Sequence, residues 1–475
     1  MSARLFNKTP DSLTAMYLIK TIFTYVLVIC VICIFPIKAL AAEKPTAIFH
    51  AFNHGYTDIE KFVCEIAKQG YSHIQIPPAQ KSNPAPEWWA RYQPVDYSII
   101  EGKGSLFNLK KLINQAHSCN VKVIADVVFN HMANLGGDDD FEDLTKFPGL
   151  SVSDFNSDSN LSGKKPCSIN YSDGNRNSEI NCWLGGLPDL MFTSNVKTIQ
   201  KAHLKKLLDL GINGFRFDAA KHMPADVIKE YINYVARYSQ GKAWNYLEVI
   251  TDSDTSAENY NWIAAVTDFV LYNSMKNAFS FGGDLRSLRV QKGINDPRSV
   301  TFGSNHDTIR EINSNAINPY SDPSDSLLAT AYVLARESGT PLILNRDNKD
   351  ASWIKSGVKF RQIMHQRGNQ GKNIKENVLA AVDSPTVLLM ERGSEGFFVV
   401  NKGENKFNIP VLDLTLTNLD GCYRELRNNF TIAIERRDRQ KKLITRWGSW
   451  NRGGMEVEKR DALYFIREPF NQCQV

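Results

Sequence analysis

Short apolar runs alternate with amphipathic stretches along most of the chain. The runs predict buried strands, because a strand covered on both faces is apolar along its whole length. They lie at residues 46–52, 73–77, 122–129, 214–218, 244–250, 266–272, 299–303 and 341–345. Helical periodicity follows many of them, at residues 58–69, 109–119, 195–210, 224–238 and 324–337. About eight strand–helix repeats are typical of a parallel (β/α)8 barrel, so we predict an α/β TIM barrel.

Two segments interrupt this alternation. After His131, roughly sixty residues are rich in Asp, Asn, Ser and Gly, which predicts a subdomain inserted after the third barrel strand. Toward the C-terminus the helical pattern stops, and short alternating segments predict an antiparallel β-sandwich. These segments lie at residues 386–390, 396–401 and 462–466. The expected domains are a barrel over residues 42–131 and 190–375, an insertion over 132–189 and a β domain over 376–475.

The first 41 residues have the pattern of a secretory signal peptide. Lys20 precedes an apolar run over residues 21–35, and Ala39–Leu40–Ala41 provides the small residues of a cleavage site. We expect cleavage after Ala41, with Ala42 as second choice and Met16 as an alternative start. An uncleaved anchor helix is the other interpretation, but the run is shorter than the ~20 residues of a membrane span. The mature protein is therefore expected to be secreted or periplasmic, without a stable membrane anchor.

Loss of this leader changes the charge and the cysteine count. The formal charge of +5 falls to +2, because the leader holds four basic residues and one acidic residue. A nearly neutral chain gives no support for a nucleic-acid partner. An even number of cysteines in an exported protein indicates disulfides, and the six that remain allow 15 pairings. They are Cys64, Cys119, Cys167, Cys182, Cys422 and Cys473.

The segment Phe215–Arg216–Phe217–Asp218–Ala219 is the most informative part of the sequence. In a strand, successive side chains point to opposite faces, so Arg216 and Asp218 would share one face. A cation beside a carboxylate keeps it ionised and oriented, as a nucleophile requires. Taken alone, such a pattern is more often a structural ion pair on a buried strand.

Two further carboxylates favour the functional interpretation. Glu248 and Asp307 follow other predicted strands, and chemistry in such barrels lies at the carboxyl ends of the strands. Each residue alone would be interpreted as an ion-pair partner or a cap. Three carboxylates at corresponding strand ends, with histidines nearby, indicate an active site.

Five segments of the chain resemble the signature motifs of the α-amylases of glycoside hydrolase family 13. In the family's order they are Asp126-Val-Val-Phe-Asn-His131, Gly214-Phe-Arg-Phe-Asp-Ala-Ala-Lys-His222, Leu247–Glu248–Val249–Ile250, Phe302-Gly-Ser-Asn-His-Asp307 and Leu187–Pro188–Asp189–Leu190. A sixth segment, Trp88-Trp-Ala-Arg-Tyr-Gln-Pro94, is similar to animal-type amylases and their bacterial relatives. The resemblance covers essentially the whole mature chain.

The resemblance implies a role for each carboxylate. Asp218 would be the nucleophile, Glu248 the general acid/base and Asp307 the transition-state stabiliser. Retaining glycoside cleavage needs one carboxylate to attack the sugar carbon and a protonated one to serve the leaving oxygen. We therefore expect Arg216 to hold Asp218 charged, and the pKa of Glu248 to be raised.

The resemblance also implies a set of substrate-binding residues. Aromatic rings offer flat apolar faces to sugar rings, although core packing would explain such residues equally well without the family. Polar side chains would hold the sugar hydroxyls. The implied set is Arg216, His131, His306, Trp88, Trp89, Tyr92, Gln93, Lys221 and His222.

Calcium is the cofactor that the resemblance implies. Asn130 and Asp189 match family ligands, joined by the backbone carbonyls of His222 and Ile180, and all four are hard oxygen donors. Ordinary turn chemistry would explain Asn130 or Asp189 alone. Chloride is not expected: Arg216 and Asn305 match two ligands of chloride-activated relatives, but Leu342 stands in the third place and Arg346 only lies close by. The resemblance further implies the disulfides Cys64–Cys119, Cys167–Cys182 and Cys422–Cys473.

The sequence therefore predicts an exported, endo-acting α-amylase that hydrolyses internal α-1,4-glucosidic bonds of starch or glycogen with retention. Its partner would be an α-glucan polysaccharide or maltooligosaccharide, bound by a monomer. An exo-acting or transglycosylating α-glucan enzyme is one alternative, and a catalytically inactive glucan-binding protein on the same fold is another. Leu247 and Gly303–Ser304 depart from the family pattern and leave product length open.

Overall fold

The computed structural model describes residues 42–136, 138–172, 174, 176–290, 292–294, 298–380, 382–410, 417–437, 440–445 and 454–473. The predicted signal peptide over residues 1–41 lies outside the described residues. Within the described ranges, no helix is both long enough and apolar enough to cross a membrane.

The described strands and helices follow the alternation of the sequence. The strands are β1 (Ile48–His50), β2 (His73–Ile76), β3 (Gln80–Ser82), β4 (Pro94–Ile100), β5 (Lys122–Val128), β6 (Gly214–Asp218), β7 (Tyr246–Leu247), β8 (Ala265–Thr267), β9 (Ser299–Thr301), β10 (Thr340–Leu344), β11 (Glu376–Val378), β12 (Val387–Arg392), β13 (Gly396–Asn401), β14 (Phe407–Pro410), β15 (Gly421–Glu425), β16 (Thr431–Arg437), β17 (Gln440–Thr445), β18 (Gly454–Val457) and β19 (Asp461–Glu468). The helices are α1 (Tyr56–Gln69), α2 (Leu106–Ser118), α3 (Asn177–Asn181), α4 (Ser194–Asp209), α5 (Ala225–Tyr238), α6 (Phe269–Phe279), α7 (Pro323–Ala335), α8 (Asn345–Asp350) and α9 (Ser352–Asn369).

Parallel strands close into the predicted barrel. Its order is β1, β2, β5, β6, β7, β8, β9 and β10, with β10 paired back to β1. The prediction was wrong for the run 266–272, where β8 ends at Thr267 and α6 begins at Phe269. Asp268 caps that helix by accepting a hydrogen bond from the Leu271 amide at 2.8 Å. The run stays apolar because the first turn of α6 is buried as well.

The register of β5 and β6 places the polar face of the key segment inside the barrel. Asp126 on β5 lies opposite Arg216 on β6, and Val128 lies opposite Asp218. Phe217 packs on the outer face against Phe129, with ring centroids 6.0 Å apart. The predicted separation of charged and aromatic faces is confirmed.

The C-terminal part is an antiparallel β structure, as predicted. A seven-stranded sheet has the order β11-β12-β13-β19-β15-β16-β17, and β14 pairs with β18 as a separate small sheet. Phe397 and Phe465 pack with Ile409 of the small sheet, whereas Phe398 and Tyr464 face the opposite side and pack with Phe360 of α9. The larger sheet is therefore buried on both faces.

The long segment between β5 and α4 is held by a disulfide and contains the short helix α3. All three disulfides implied by the resemblance are present: Cys64–Cys119, Cys167–Cys182 and Cys422–Cys473. The first connects α1 with the end of α2, and the second closes a loop within the long segment. The third attaches Cys473 to β15.

Candidate active site

A cavity of about 580 Å³ opens at the carboxyl ends of the barrel strands. Its lining includes side chains that follow β5, β6, β7 and β9, and the aromatic segment before β4. The structure brings nearly all of the predicted site together there. The predicted residues that line the cavity are Asp218, Glu248, Asp307, His131, His306, Trp88, Trp89, Tyr92, Gln93, Lys221 and His222.

Arg216 lies beneath the cavity and joins its carboxylates. Nη1 donates to Asp218 Oδ1 at 2.7 Å and to both oxygens of Asp126 at 2.8 Å. Nη2 pairs with Glu248 Oε1. Arg216 is buried and does not itself line the cavity, so it orients the carboxylates from below, and its predicted role in substrate binding stays a prediction.

The turn after β6 supplies a further hydrogen bond to Glu248. The Ala219 amide donates to Glu248 Oε2 at 2.9 Å. Ala219 has φ +48°, in the left-handed region, which costs a non-glycine residue about 1–2 kcal/mol. This turn fixes Glu248 against the end of the nucleophile strand, and strain of this kind is typical of functional sites.

Three buried carboxyl groups pair with one guanidinium and a fourth, Asp307, lies near them, so the four cannot all be ionised at low cost. Arg216 was expected to hold Asp218 charged, but burial outweighs its opposing charge and raises the pKa of Asp218 well above the usual range. Burial and the charge of Glu248 raise the pKa of Asp307 in the same way. Burial raises the pKa of Asp126 to about 6 despite Arg216.

The pKa of Glu248 is lowered, whereas the sequence predicted a raised one. Burial alone would raise its pKa, but Arg216, His306 and the Ala219 amide together hold it below the usual value. The sequence suggested Asp218 as the partner of Arg216, whereas the second guanidinium nitrogen also reaches Glu248. Glu248 and Asp307 lie close to each other, and their interaction lowers the pKa of Glu248 and raises that of Asp307. These opposite directions favour a proton on Asp307 over one on Glu248.

The cavity histidines are neutral near pH 7. Burial lowers the pKa of His131 to about 4, and burial with Arg216 lowers that of His306 to about 3. His131 Nε2 donates to the Tyr92 carbonyl at 3.0 Å. The His306 ring stacks on Tyr92 with centroids 5.5 Å apart. Both histidines are therefore held in fixed orientations without adding charge to the cavity.

One wall of the cavity is aromatic. Trp88 donates from Nε1 to the Ile312 carbonyl at 3.0 Å, and Tyr92 donates its hydroxyl to Asp126 Oδ2 at 3.1 Å. These bonds fix both rings, while Trp89 is 40% exposed at the rim. Flat apolar faces of this kind suit the C–H faces of sugar rings.

A second part of the cavity wall holds an ion pair that the sequence reasoning did not identify. Lys221 pairs with Asp252, and its ammonium lies 4.5 Å from the centroid of the Tyr171 ring. Asp252 follows Glu248 by four residues in the same loop, a spacing that would have been a usable signal. Tyr171 lies inside the Cys167–Cys182 loop and has no motif around it. Other lining residues missed from sequence are Leu184, Leu187, Ala219, Ile250 and Ile317.

Beside the cavity lies a pair of side chains suited to a cation. Asn130 Oδ1 and Asp189 Oδ1 are buried and accept no hydrogen bond, while Asp189 Oδ2 accepts from Asn156 at 2.7 Å. Burial raises the pKa of Asp189 well above its usual range. Among the described residues, no three His, Cys, Asp or Glu side chains form a metal-binding group. The two vacant oxygens nevertheless fit a hard cation completed by backbone carbonyls.

Comparison with known proteins agrees with this site. A family model described as the α-amylase catalytic domain matches residues 66–259. The α-amylase of Phaedon cochleariae is 31% identical over 355 residues, which are 68% of this chain and 71% of that protein. The chain belongs to the α-amylase family. α-Amylases are glycoside hydrolases, so the enzyme class predicted from the motifs is confirmed.

Two further relatives extend the match. The α-amylase of Aeromonas hydrophila is 28% identical over 406 residues, covering 75% of this chain and 84% of that protein. A mutant of α-amylase I from Eisenia fetida, solved with maltohexaose, is similar in structure with a TM-score of 0.72. That structure is 20% identical and covers 90% of this chain and 99% of the other, so it supports the amylase fold.

Proposed function

We propose that this α-amylase is exported and endo-acting, and that it hydrolyses internal α-1,4-glucosidic bonds of starch or glycogen with retention. The observation that carries the proposal is the convergence of Asp218, Glu248 and Asp307 from three strand ends on one open cavity. Two of these carboxyl groups share Arg216, and the charge of Glu248 helps to raise the pKa of the third, Asp307. A glucan chain would lie between the aromatic wall and the Lys221–Asp252 wall.

The first step forms a glycosyl ester on Asp218. The proton that Asp307 shares with Glu248 passes to Glu248 and then to the glycosidic oxygen as the bond to the anomeric carbon breaks. Asp218 attacks that carbon from the opposite face in its ionised form, and the positive charge that develops on the sugar stabilises the carboxylate. Arg216 holds Asp218 Oδ1 at 2.7 Å and keeps the carboxylate aimed during this step.

The second step releases the sugar with its original configuration. Water approaches from the side that the leaving sugar vacated, and Glu248 takes its proton while the oxygen bonds to the anomeric carbon. The ester bond to Asp218 breaks, and Asp307 again shares the proton on Glu248. Two inversions give net retention, which is the expected outcome for a double displacement.

We further propose that calcium is bound by Asn130, Asp189 and the carbonyls of Ile180 and His222. His222 Nδ1 donates to the Glu179 carbonyl at 2.9 Å, which brings the end of the nucleophile strand beside α3. Bound calcium would supply a fixed positive charge and connect the inserted segment to the barrel. Chloride is not part of the proposal, because Leu342 is buried in the apolar core and Arg346 pairs with Asp347.

The proposal divides the chain as its sequence suggests. A signal peptide covers residues 1–41, the barrel 42–131 and 190–375, the calcium-binding insertion 132–189 and the C-terminal β domain 376–475. The start of β11 at Glu376 and the end of β5 at Val128 support two of these limits. Three disulfides support export to an oxidising compartment, secreted or periplasmic, where the enzyme would act as a monomer.

Chelation is expected to lower activity and melting temperature together. Loss of the cation leaves the buried Asp189 carboxylate beside Asn130 without a counter-charge, so the insertion should loosen from the nucleophile strand. Calorimetry and starch hydrolysis before and after EDTA, followed by calcium addition, measure both effects. Asp189→Asn should lose the response to calcium. If EDTA changes neither quantity in the wild type, the calcium assignment is wrong.

Product analysis tests the endo-acting assignment. During hydrolysis of amylose, the proposal predicts a rapid loss of iodine staining and a broad distribution of maltooligosaccharides at early times. A single short product from the start would indicate exo-action, and products longer than a maltohexaose substrate would indicate transglycosylation. Absence of any turnover by folded protein would favour a glucan-binding role and overturn the proposal.

A further inference from the structure

An ion pair between the partly buried Arg346 and the buried Asp347 lies behind the turn that carries Asp307. Arg346 and Asp347 begin the short helix α8 that follows the last barrel strand. Asp347 is fully buried, and its Oδ1 accepts from Arg346 Nε at 2.9 Å and Nη2 at 2.6 Å. Arg346 Nη2 also donates to the Ser326 hydroxyl at 2.9 Å. This pair is not part of the cavity lining described above.

The second oxygen of Asp347 reaches the loop after β9. Oδ2 accepts from the Ser304 hydroxyl and from the Thr330 hydroxyl, each at 2.9 Å. Between them lies Gly303, where an added Cβ would stand 2.2 Å from Thr330 Oγ1 and 2.3 Å from its backbone nitrogen. The loop after β9 therefore lies so close to α7 that only glycine fits at position 303. Asp347 accepts one hydrogen bond from this loop, at Ser304, and one from α7, at Thr330.

The loop after β9 leads directly to Asp307, one of the three carboxylates of the candidate active site. Asn305 Oδ1 accepts from the amide of Asp307 at 3.0 Å and from that of Thr308 at 3.1 Å. The Asn305 amide in turn donates to Thr308 Oγ1 at 2.9 Å. The Ser304 hydroxyl anchors the loop to Asp347, and the next residue, Asn305, forms the hydrogen-bonded turn that carries Asp307.

We propose that Arg346 and Asp347 are positioning residues for hydrolysis, which set the Ser304 turn so that Asp307 meets Glu248. The inference rests on the proposed role of Asp307. A buried ion pair gives little net stability over an apolar replacement, so a pair with this many satisfied contacts fits a role in defining one geometry. Misplacement of a reacting group by about 1 Å can cost about 100-fold in rate, so the pair should affect kcat more than KM.

The test compares Asp347→Asn and Ser304→Ala with a matched control, Asp461→Asn. Asp461 forms a comparable buried pair with Arg427, with oxygen–nitrogen distances of 2.7 and 2.6 Å, but lies on β19 in the C-terminal sheet. Asp307→Asn serves as the reference for loss of the carboxylate itself. Each variant is measured for kcat and KM on maltohexaose, for melting temperature and for the pH dependence of kcat.

Both test variants should lower kcat about tenfold or more while KM changes less than about threefold. The alkaline limb of the kcat profile should move to lower pH, because the proton that Glu248 helps to hold on Asp307 is released more readily once the two carboxyl groups no longer meet. Asp461→Asn should lower the melting temperature yet leave kcat and this limb unchanged. Ser304→Ala removes one hydroxyl and decides the question even if Asp347→Asn does not fold.

Two outcomes overturn the inference. In the first, Ser304→Ala folds and keeps the kcat and the alkaline limb of the wild type, while Asp307→Asn is inactive. In the second, the control Asp461→Asn loses as much kcat, and shifts the alkaline limb as far, as the two test variants do. If the wild type itself does not hydrolyse the glucan, or if Asp307→Asn is fully active, the proposed function fails instead, so the two failures are distinguishable.

Discussion

Asp218→Asn is expected to lower kcat on maltooligosaccharides by about 10⁴-fold or more. An amide nitrogen and a neutral carbonyl oxygen cannot form the glycosyl ester, and the amide gives the developing positive charge on the sugar no opposite charge. Arg216 stays in place through Asp126 and Glu248, so the cavity should keep its shape. Steady-state kinetics on purified variant and wild type measure the loss.

The stability of Asp218→Asn should not fall together with its activity. Burial disfavours the charged form of Asp218, so a neutral amide of the same shape should leave the melting temperature unchanged or raise it. Asp126→Asn is the matched comparison, because it removes another carboxylate from Arg216 without lining the cavity. It should retain far more activity than Asp218→Asn. Equal activity of Asp218→Asn and the wild type would falsify the nucleophile assignment.

A small external nucleophile adds a stereochemical test. In Asp218→Gly the vacated space should admit azide on the face of the sugar that Asp218 would attack. Azide should then restore part of the rate with an activated aryl glycoside and give the β-glycosyl azide, since attack inverts the anomeric carbon once. No rescue by azide, or rescue with an α-glycosyl azide, would place the nucleophile elsewhere.

Glu248→Gln is the second variant with a large expected effect, and its loss should depend on the leaving group. Proton transfer to a departing sugar is worth about 10²–10⁴-fold, so starch and maltohexaose should be hydrolysed slower by about that factor. A nitrophenyl maltooligosaccharide leaves as a stabilised anion and needs little protonation, so its first step should be much less affected. Single-turnover and steady-state rates on both substrates separate the two steps.

Ester hydrolysis should then limit the rate on the aryl substrate. Because Glu248 also activates the attacking water, a burst of nitrophenol should precede slow turnover in Glu248→Gln. Asp252→Asn is a useful control in the same loop, since it changes the charge of the cavity wall without touching the acid/base. An equal loss of rate of Glu248→Gln on natural and aryl substrates, without a burst of nitrophenol, contradicts the acid/base role.

The repeating pattern of the sequence predicted the barrel because each buried strand is an apolar run bounded by a helix. The run 266–272 failed because α6 begins with a buried turn, and a buried helix and a buried strand are equally apolar over a few residues. The two-residue alternation correctly predicted that Arg216 and Asp218 share the barrel interior. It could not show that Asp126 joins them, because the register between β5 and β6 is a tertiary property.

In the candidate site, too, local sequence predicted some residues, whereas others are brought in only by the tertiary fold. Residues inside motifs were predicted and were brought to the cavity, but Tyr171 reaches it through the Cys167–Cys182 loop, whose path has no local sequence signature. The protonation pattern was the least predictable feature. The sequence suggested one carboxylate for Arg216, whereas the guanidinium serves three, and this sharing lowers the pKa of Glu248. Metal-ligand and subsite roles remain predictions.

Mass spectrometry of a trapped intermediate tests the central claim most directly. Glu248→Gln is incubated with a maltosyl fluoride, whose leaving group needs no acid, and the quenched protein is digested and mapped. The account predicts a maltosyl adduct on Asp218, absent from Asp218→Asn and from the Asp218→Asn/Glu248→Gln double variant. An adduct on another residue, or fluoride release with β-configured product and no adduct, would contradict it.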